Sequence, residues 1–128
     1  MTGYGGTENP KNDTNFIPSP VLRKITLQIM TQEKCKQMNP NMVTEQFICG
    51  SNVERKGICE GDSGGPISIY DPKKGKHVVV GLTSFLIGKC GEPGLPSYFT
   101  KFSRYIQWIR DIINLLKTEF VLDYKLCD

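Results

Sequence analysis

One short segment of the sequence carries residues that could perform covalent chemistry. Residues 61–66 read GDSGGP, and they place Ser63 between glycines. A serine in such a tight, open backbone can project its hydroxyl as a nucleophile, and neighbouring N–H groups can converge on a developing oxyanion. An ordinary glycine turn between strands is the alternative interpretation. The six consecutive residues, with Cys59 before them and a strand-like pattern after Pro66, make the nucleophile interpretation the more specific one.

A serine nucleophile needs a general base to accept its proton, and an acidic group to orient that base. The sequence contains one histidine, His77, at the start of a predicted strand that follows the nucleophile segment. We interpret His77 as an exposed strand-end residue rather than as the base. Because losing the base costs on the order of 10⁶ in turnover, we expect the 128 residues alone to be essentially inactive.

The overall composition is that of a globular protein, with 38% hydrophobic residues, 23% charged residues and a net charge of +3. No apolar run approaches the roughly 18 residues that a membrane helix needs. The basic residues are scattered along the chain, so the sequence does not indicate a nucleic-acid face. It shows no cluster of carboxylates and histidines either. We therefore predict no membrane span, no nucleic-acid partner, no metal and no cofactor.

The sequence has five cysteines, which is many for a short cytosolic protein. No pair has the CxxC spacing of a zinc ribbon or a thioredoxin-like site. We predict two disulfides and one remaining thiol, with buried free thiols as the alternative, and spacing alone does not choose the pairing. Residues 1–6 lack the basic and apolar regions of a signal peptide. We therefore expect either an intracellular protein or a chain that begins partway through a larger one.

Short strands followed by one helix account for most of the sequence pattern. Ile106, Ile109, Ile113 and Leu116 recur at helical spacing, and Ser103 is the predicted N-cap. We expect this apolar stripe to pack on the sheet. The pattern as a whole favours an antiparallel sandwich or barrel closed by a terminal helix. The other predicted elements are a loop over 2–20, strands over 21–30, 47–50, 67–70, 77–86 and 97–102, and helical turns over 31–38.

These motifs resemble the C-terminal half of the chymotrypsin-like serine proteases. Residues 61–66 match the family's nucleophile motif without change, residues 2–5 (TGYG) resemble its TGWG, and residues 80–85 (VGLTSF) resemble its VGIxSW. Residues 47–50 (FICG) and 96–109 are similar to its cysteine strand and its C-terminal ending. The resemblance covers residues 1–113. It implies an all-β fold, a single antiparallel six-stranded Greek-key barrel with a C-terminal α-helix. We expect residues 1–116 to form this unit, with the first barrel absent, and residues 117–128 to form a tail.

The resemblance also implies roles for the residues around the nucleophile. Ser63 matches the catalytic serine, and the backbone N–H groups of Gly61 and Ser63 match the oxyanion hole. Asp62 matches the aspartate that pairs with a new N-terminal ammonium in activated members. Ser84 and Phe85 match the edge that pairs with substrate backbone, although the family usually has Trp in place of Phe85. The implied disulfides are Cys35–Cys49 and Cys59–Cys90, which leaves Cys127 without an assigned partner.

The specificity pocket is where the sequence departs most from the family. Gly57 falls at the pocket floor, where trypsin-like members carry an Asp that pairs with Lys or Arg. Leu86 and Pro96 fall at wall positions where glycine is common. Because the floor lacks a carboxylate and the walls are bulky, we expect either a preference for small aliphatic side chains or no usable pocket. The alternative is that the Leu86 side chain points away from the pocket.

The function implied by the resemblance is that of a secreted serine endopeptidase, acting on a protein or peptide through an acyl-enzyme at Ser63. The catalytic histidine and aspartate of the family lie in the first barrel, so this chain is expected to be an inactive fragment whose partner is that barrel. A non-catalytic, protease-like secreted binding module is the alternative. An intracellular esterase-like hydrolase is disfavoured, because no long helix follows the serine turn.

Overall fold

The computed structural model describes residues 1–7, 17–42, 44–52 and 56–119. Its strands and helices are short apart from β6 and α2, and single turns of 3-10 helix span Thr44–Gln46 and Phe102–Arg104. In chain order the elements are β1 (Thr2–Gly3), β2 (Arg23–Lys24), β3 (Gln28–Ile29), α1 (Gln32–Met38), β4 (Phe47–Ser51), β5 (Pro66–Asp71), β6 (Lys76–Leu86), β7 (Pro96–Lys101) and α2 (Ile106–Glu119).

The strands form one antiparallel sheet of five strands, in the order β3-β4-β7-β6-β5, and a separate antiparallel pair of β1 with β2. The predicted antiparallel β-rich fold with a C-terminal helix is confirmed. The described residues do not join six strands in one barrel. The strand predicted over 21–30 is divided into β2 and β3, which pair with different partners, so the ladder is interrupted at residues 25–27.

The core consists of two side-chain clusters that alternate along the same strands. Ile48 and Phe99 belong to one cluster, while their neighbours Cys49 and Tyr98 belong to the other. This alternation follows from the two-residue period of a strand, which sends successive side chains to opposite faces. The first cluster also contains Ile58, Ile67 and, packed at its edge, Leu27, Val80 and Leu86, and the second contains Cys35 with Met30, Met42, Phe47 and Phe85 at its edge.

The sequence predicts the start of α1 correctly, but it does not predict the cap or the packing of α2. Helix α1 begins as expected, because the Thr31 side chain accepts a hydrogen bond from the Lys34 N–H at 3.3 Å. The prediction for α2 was wrong in two respects. Ser103 does not cap it, since Ser103 lies inside the preceding 3-10 turn. Its apolar stripe does not pack on the sheet either.

Several side chains of that predicted stripe remain in solvent. Ile106, Ile113 and Leu116 are 44%, 46% and 44% exposed, and only Ile109 is half-buried. Trp108 is 62% exposed on the same helix. The 3-10 turn over Phe102–Arg104 separates α2 from β7, and α2 therefore leaves the sheet with an uncovered apolar face. Within the described residues, no helix is long and apolar enough to cross a membrane.

Two disulfides fasten the elements, and both have the predicted pairing. Cys35–Cys49 joins α1 to β4, and Cys59–Cys90 joins the segment before the serine to the loop before β7. Cys127 and the tail over 120–128 lie outside the described residues. The division of the chain into 1–116 and 117–128 stays a prediction, and α2 itself ends at Glu119.

Candidate active site

Ser63 lies in a tight turn between Cys59 and the start of β5. The turn is closed by a hydrogen bond of 2.9 Å from the Gly65 N–H to the Asp62 carbonyl. Gly64 has φ +77°, which is the conformation that the third position of a type II turn requires. Ser63 is therefore at the second position of the turn. Its side chain is exposed, and among the described residues its Oγ has no hydrogen-bond partner.

The turn is attached to the central sheet through β6. The Gly64 N–H donates to the Thr83 carbonyl at 2.9 Å, and the Thr83 N–H donates to the Gly65 carbonyl at 2.8 Å. Two such reciprocal bonds extend the antiparallel β5–β6 ladder beyond Pro66. The backbone immediately after Ser63 is consequently fixed to the strand that carries Ser84 and Phe85.

Asp62 points away from solvent and is held by backbone donors from two parts of the chain. It is 8% exposed, Oδ1 accepts the Gly5 N–H at 2.9 Å, and Oδ2 accepts the Cys59 N–H at 3.0 Å. Hydrogen bonds to a carboxylate are stronger than those between neutral groups. The Gly6 N–H also donates to the Glu60 carbonyl at 2.9 Å. The TGYG segment and the serine loop are thus joined, as a shared site would require.

The backbone N–H groups that were assigned to an oxyanion hole are those of Gly61 and Ser63, and they have no partner among the described residues. Gly61 has φ +85°, a left-handed conformation that favours glycine. In the part of the chain that the structure describes, neither the Gly61 N–H nor the Ser63 N–H donates a hydrogen bond. Both residues are exposed, as an oxyanion hole that receives a ligand would require.

The predicted substrate-binding edge lies at an irregularity in β6. Pairing with β7 shifts between Thr83 and Phe85, so Ser84 is the extra residue of a β-bulge, and it is exposed. Bulges of this kind redirect a strand and often occur beside functional sites. Phe85 instead faces the second core cluster. Its ring stacks on Tyr98 with a centroid distance of 4.5 Å and meets Phe47 edge-on at 5.4 Å.

The three residues predicted to form the specificity pocket differ in their burial and in their packing. Gly57 is half-buried. Pro96 is buried at the start of β7, opposite Ser51 of β4. Leu86 ends β6 and packs against the first core cluster, which includes the fully buried Ile58.

Sequence reasoning missed two polar residues in the same region, Asn52 and Ser97. Ser97 is fully buried, and its Oγ–H donates to Asn52 Oδ1 at 2.7 Å while accepting the Ile58 N–H at 3.4 Å. Asn52 is 9% exposed and donates through Nδ2 to the Glu92 carbonyl at 3.3 Å. Ser97 stands beside Pro96 in a recognised motif, which was an available signal. Nothing in the sequence pattern around Asn52 marked it.

His77 lies at the wrong end of the hairpin to serve Ser63. It pairs with Tyr70 near the turn between β5 and β6, and their rings meet at 5.4 Å. Tyr70 is four residues beyond Pro66, or about 13 Å along the strand. His77 is also exposed, as predicted. Its contacts indicate a cross-strand ring pair rather than a catalytic base.

A cavity of about 640 Å³ lies behind the serine loop. Its lining includes Asp62, Gly57 and Cys59 together with residues of β1, β2 and their flanking segments. Met1 is also in this lining, and burial, followed by the charge of Lys24, lowers the pKa of its ammonium. Within the described residues, no group of three or more His, Cys, Asp or Glu side chains is placed to hold a metal ion.

Comparison with known proteins places this geometry in a family. The trypsin family model matches residues 1–109. The chain belongs to the trypsin family. The chymotrypsin-like resemblance of the sequence is thereby confirmed, together with the disulfide pairing.

Individual relatives agree with this assignment. Human kallikrein-12 is 32% identical over 116 residues, which cover 89% of this chain and 42% of that protein. Phenoloxidase-activating enzyme 1 from Spodoptera litura is 36% identical, with 88% of this chain and 28% of that protein covered. The solved structure of neuropsin, described as a serine protease expressed in the limbic system of mouse brain, has a TM-score of 0.68 and 30% identity, with 88% of this chain and 46% of that chain covered. The chain therefore spans less than half the length of these relatives.

Proposed function

We propose that this chain supplies the nucleophile half of a secreted serine endopeptidase. Ser63 is the nucleophile, the N–H groups of Gly61 and Ser63 bind the oxyanion, and the substrate is a protein or peptide. The observation that carries the proposal is the Ser63 turn. Its hydroxyl is exposed and its oxyanion donors are unpaired among the described residues, while the Asp62 carboxylate is buried between two backbone donors.

The reaction begins with attack of Ser63 Oγ on the carbonyl carbon of the scissile bond, with the serine proton transferred to a base. The carbonyl oxygen becomes an oxyanion, which preorganised N–H donors stabilise more strongly than they stabilise the ground-state carbonyl. Loss of a single such donor costs about 10²–10³ in turnover. The described residues place no imidazole beside Ser63, so the base and its aspartate are proposed to lie in the family's first barrel, joined to this chain in the whole protein.

Secretion is proposed because both cysteine pairs are oxidised in the structure. Disulfides of this kind persist in oxidising compartments and are rare in the cytosol. The Cys59–Cys90 bridge bears directly on the proposed activity, since it ties the segment before Ser63 to the loop before β7.

A fluorophosphonate probe, which phosphonylates activated serines, tests the proposal. The native protein is isolated with an antibody raised against residues 57–71, labelled with the probe and digested. We expect the label on the peptide that contains Ser63 and none on a Ser63→Ala variant. The 128-residue chain expressed alone is expected to remain unlabelled, because it lacks the base.

A non-catalytic binding module is the second candidate, and one observation favours it. Leu86, a bulky side chain at a position expected to form the pocket wall, packs against the first core cluster, as a closed or narrowed pocket would require. A native protein that includes a complete first barrel and yet leaves Ser63 unlabelled would support this candidate and contradict the endopeptidase.

A further inference from the structure

The polar residues that sequence reasoning missed lie at the floor of the proposed specificity pocket. Ser97 Oγ–H donates to Asn52 Oδ1 at 2.7 Å, and Asn52 Nδ2 donates to the Glu92 carbonyl at 3.3 Å. Both side chains are more than nine-tenths buried. A buried amide with two partners has a fixed position, since leaving either group unpaired would be costly.

The Asn52 amide occupies the space that a side chain at position 57 would need. A Cβ placed on Gly57 would lie 2.7 Å from Asn52 Oδ1 and 2.9 Å from Asn52 Cγ. It would also lie 2.9 Å from the Gly91 Cα. These separations are shorter than ordinary van der Waals contacts. Position 57 is therefore glycine because another residue already fills its side-chain volume.

We propose that Asn52, and not position 57, is the residue that determines specificity at the pocket floor, with Ser97 as its positioning residue. The inference rests on the proposed function, because it concerns the substrate pocket of the same site. Asn52 directly follows β4, and its amide lies where a side chain at Gly57 would extend. It replaces the charged group of trypsin-like members with a neutral amide.

The hydrogen bonds of this amide define the substrate class. One acceptor lone pair is used by Ser97, and one N–H is used by the Glu92 carbonyl, which leaves at most one donor and one acceptor. Neither Asn52 nor Ser97 carries a charge that could compensate a buried lysine or arginine. With leucine rather than glycine at wall position 86, the pocket accepts a short, uncharged side chain.

The first experiment places a carboxylate at each of the two candidate floor positions. The probe is p-aminobenzamidine, an aryl amidinium whose fluorescence increases on leaving water. Leu86→Gly opens the wall in all proteins tested. We expect Asn52→Asp in this background to bind the probe at least tenfold more tightly than the Leu86→Gly parent. We expect Gly57→Asp to give no increase, because the amide occupies its space. Equal binding by the two carboxylate variants, or no gain from Asn52→Asp, would overturn the proposal.

Ser97 is tested in the same background as a positioning residue. Removing its hydroxyl by Ser97→Ala should weaken probe binding by Asn52→Asp several-fold, and Ser97→Thr, which keeps the hydroxyl, should restore binding. A purely structural role for Ser97 would instead lower the melting temperature without changing the affinity, and that result would count against its positioning role.

The second experiment keeps Leu86 and does not depend on a ligand. Gly57→Ala, Asn52→Ala and the double variant form a cycle measured by thermal unfolding of the full chain. Overpacking by one methyl should lower the melting temperature by about 4 °C or more. The decrease in melting temperature that Gly57→Ala causes should be smaller in the Asn52→Ala background, because two of the three close contacts are then absent. An unchanged drop would overturn the proposal.

The outcome of these tests is separable from that of the proposed function. Probe binding and thermal unfolding do not use the Ser63 hydroxyl as a nucleophile. If fluorophosphonate labelling fails, the results on Asn52 still hold. If the Gly57 and Asn52 mutant cycle fails, the labelling of Ser63 still stands.

Discussion

Replacing the buried carboxylate of Asp62 should destabilise the protein far more than replacing a comparable carboxylate at the surface. Asp62→Ala removes the acceptor for the Gly5 and Cys59 N–H groups, which lie 2.9 and 3.0 Å from its oxygens. Each donor left unpaired in a buried site costs about 1–3 kcal/mol. The expected loss in the free energy of unfolding is about 2–6 kcal/mol, or roughly 8–24 °C in melting temperature for a domain of this size.

Asp71 provides a matched control within the same chain. Its Oδ1 also accepts two backbone N–H groups, from Lys73 at 3.0 Å and Lys74 at 3.4 Å, but these bonds are exposed at the β5–β6 turn. Water replaces the lost acceptor there, so Asp71→Ala should cost no more than about 1 kcal/mol. Asp62→Asn should fall between the two, because its amide keeps one acceptor while its N–H₂ faces the other donor.

The assay is equilibrium unfolding in urea, followed by far-UV circular dichroism, with an unchanged slope required before midpoints are compared. If Asp62→Ala and Asp71→Ala shift the midpoint equally, burial does not govern the strength of these bonds. The account of Asp62 as the anchor of the serine loop would then be refuted. A large loss of stability in Asp62→Ala, a smaller loss in Asp62→Asn and little loss in Asp71→Ala would support it.

Two further perturbations test the elements around the site. Removing the Cys59–Cys90 bridge with a double alanine variant should lower the free energy of unfolding by about 4 kcal/mol, because the bridge closes a loop of 31 residues. Guanidinium denaturation measures this loss. A loss below about 1 kcal/mol would contradict the chain-entropy argument. Trp108→Gln combined with Ile113→Gln should reduce self-association of the chain in sedimentation velocity, because these side chains are 62% and 46% exposed on α2. The exposed substitution Gln107→Asn, which changes no charge on the same helix, is the control, and an equal effect from it would contradict the role of the apolar side chains.

The sequence indicated some parts of this structure well because their signals are local. The glycines around Ser63 identify a tight turn, and Gly61 and Gly64 do adopt positive φ. Helix α1 and its Thr31 cap follow from a few adjacent residues. The family resemblance supplied what spacing could not, namely which cysteines pair.

The remaining features depend on contacts between distant segments. Asn52 reaches Ser97 across 45 positions of sequence, so no periodicity marks it. The packing of α2 was mispredicted for a related reason. Helical spacing shows that a helix has an apolar face, whereas a partner for that face is a property of the whole fold, and the sheet does not provide one for Ile113 or Leu116.

The proposed catalytic apparatus has two parts, the Ser63 turn and the base that accepts the serine proton, and this chain supplies the contacts for the first part. The contacts that shape the Ser63 turn arise within this chain: β6 fixes Gly64 and Gly65, and Gly5 with Cys59 anchors Asp62. The nucleophile and its oxyanion donors can therefore be positioned before any base arrives. Proton transfer, by contrast, requires an imidazole within hydrogen-bond reach of Ser63, and His77 is held at the far end of β5 by its pairing with Tyr70. The positioning of the oxyanion donors is thus separable from the activation of the serine by a base. This is why we expect the fluorophosphonate label, rather than the fold, to respond to the presence of the first barrel.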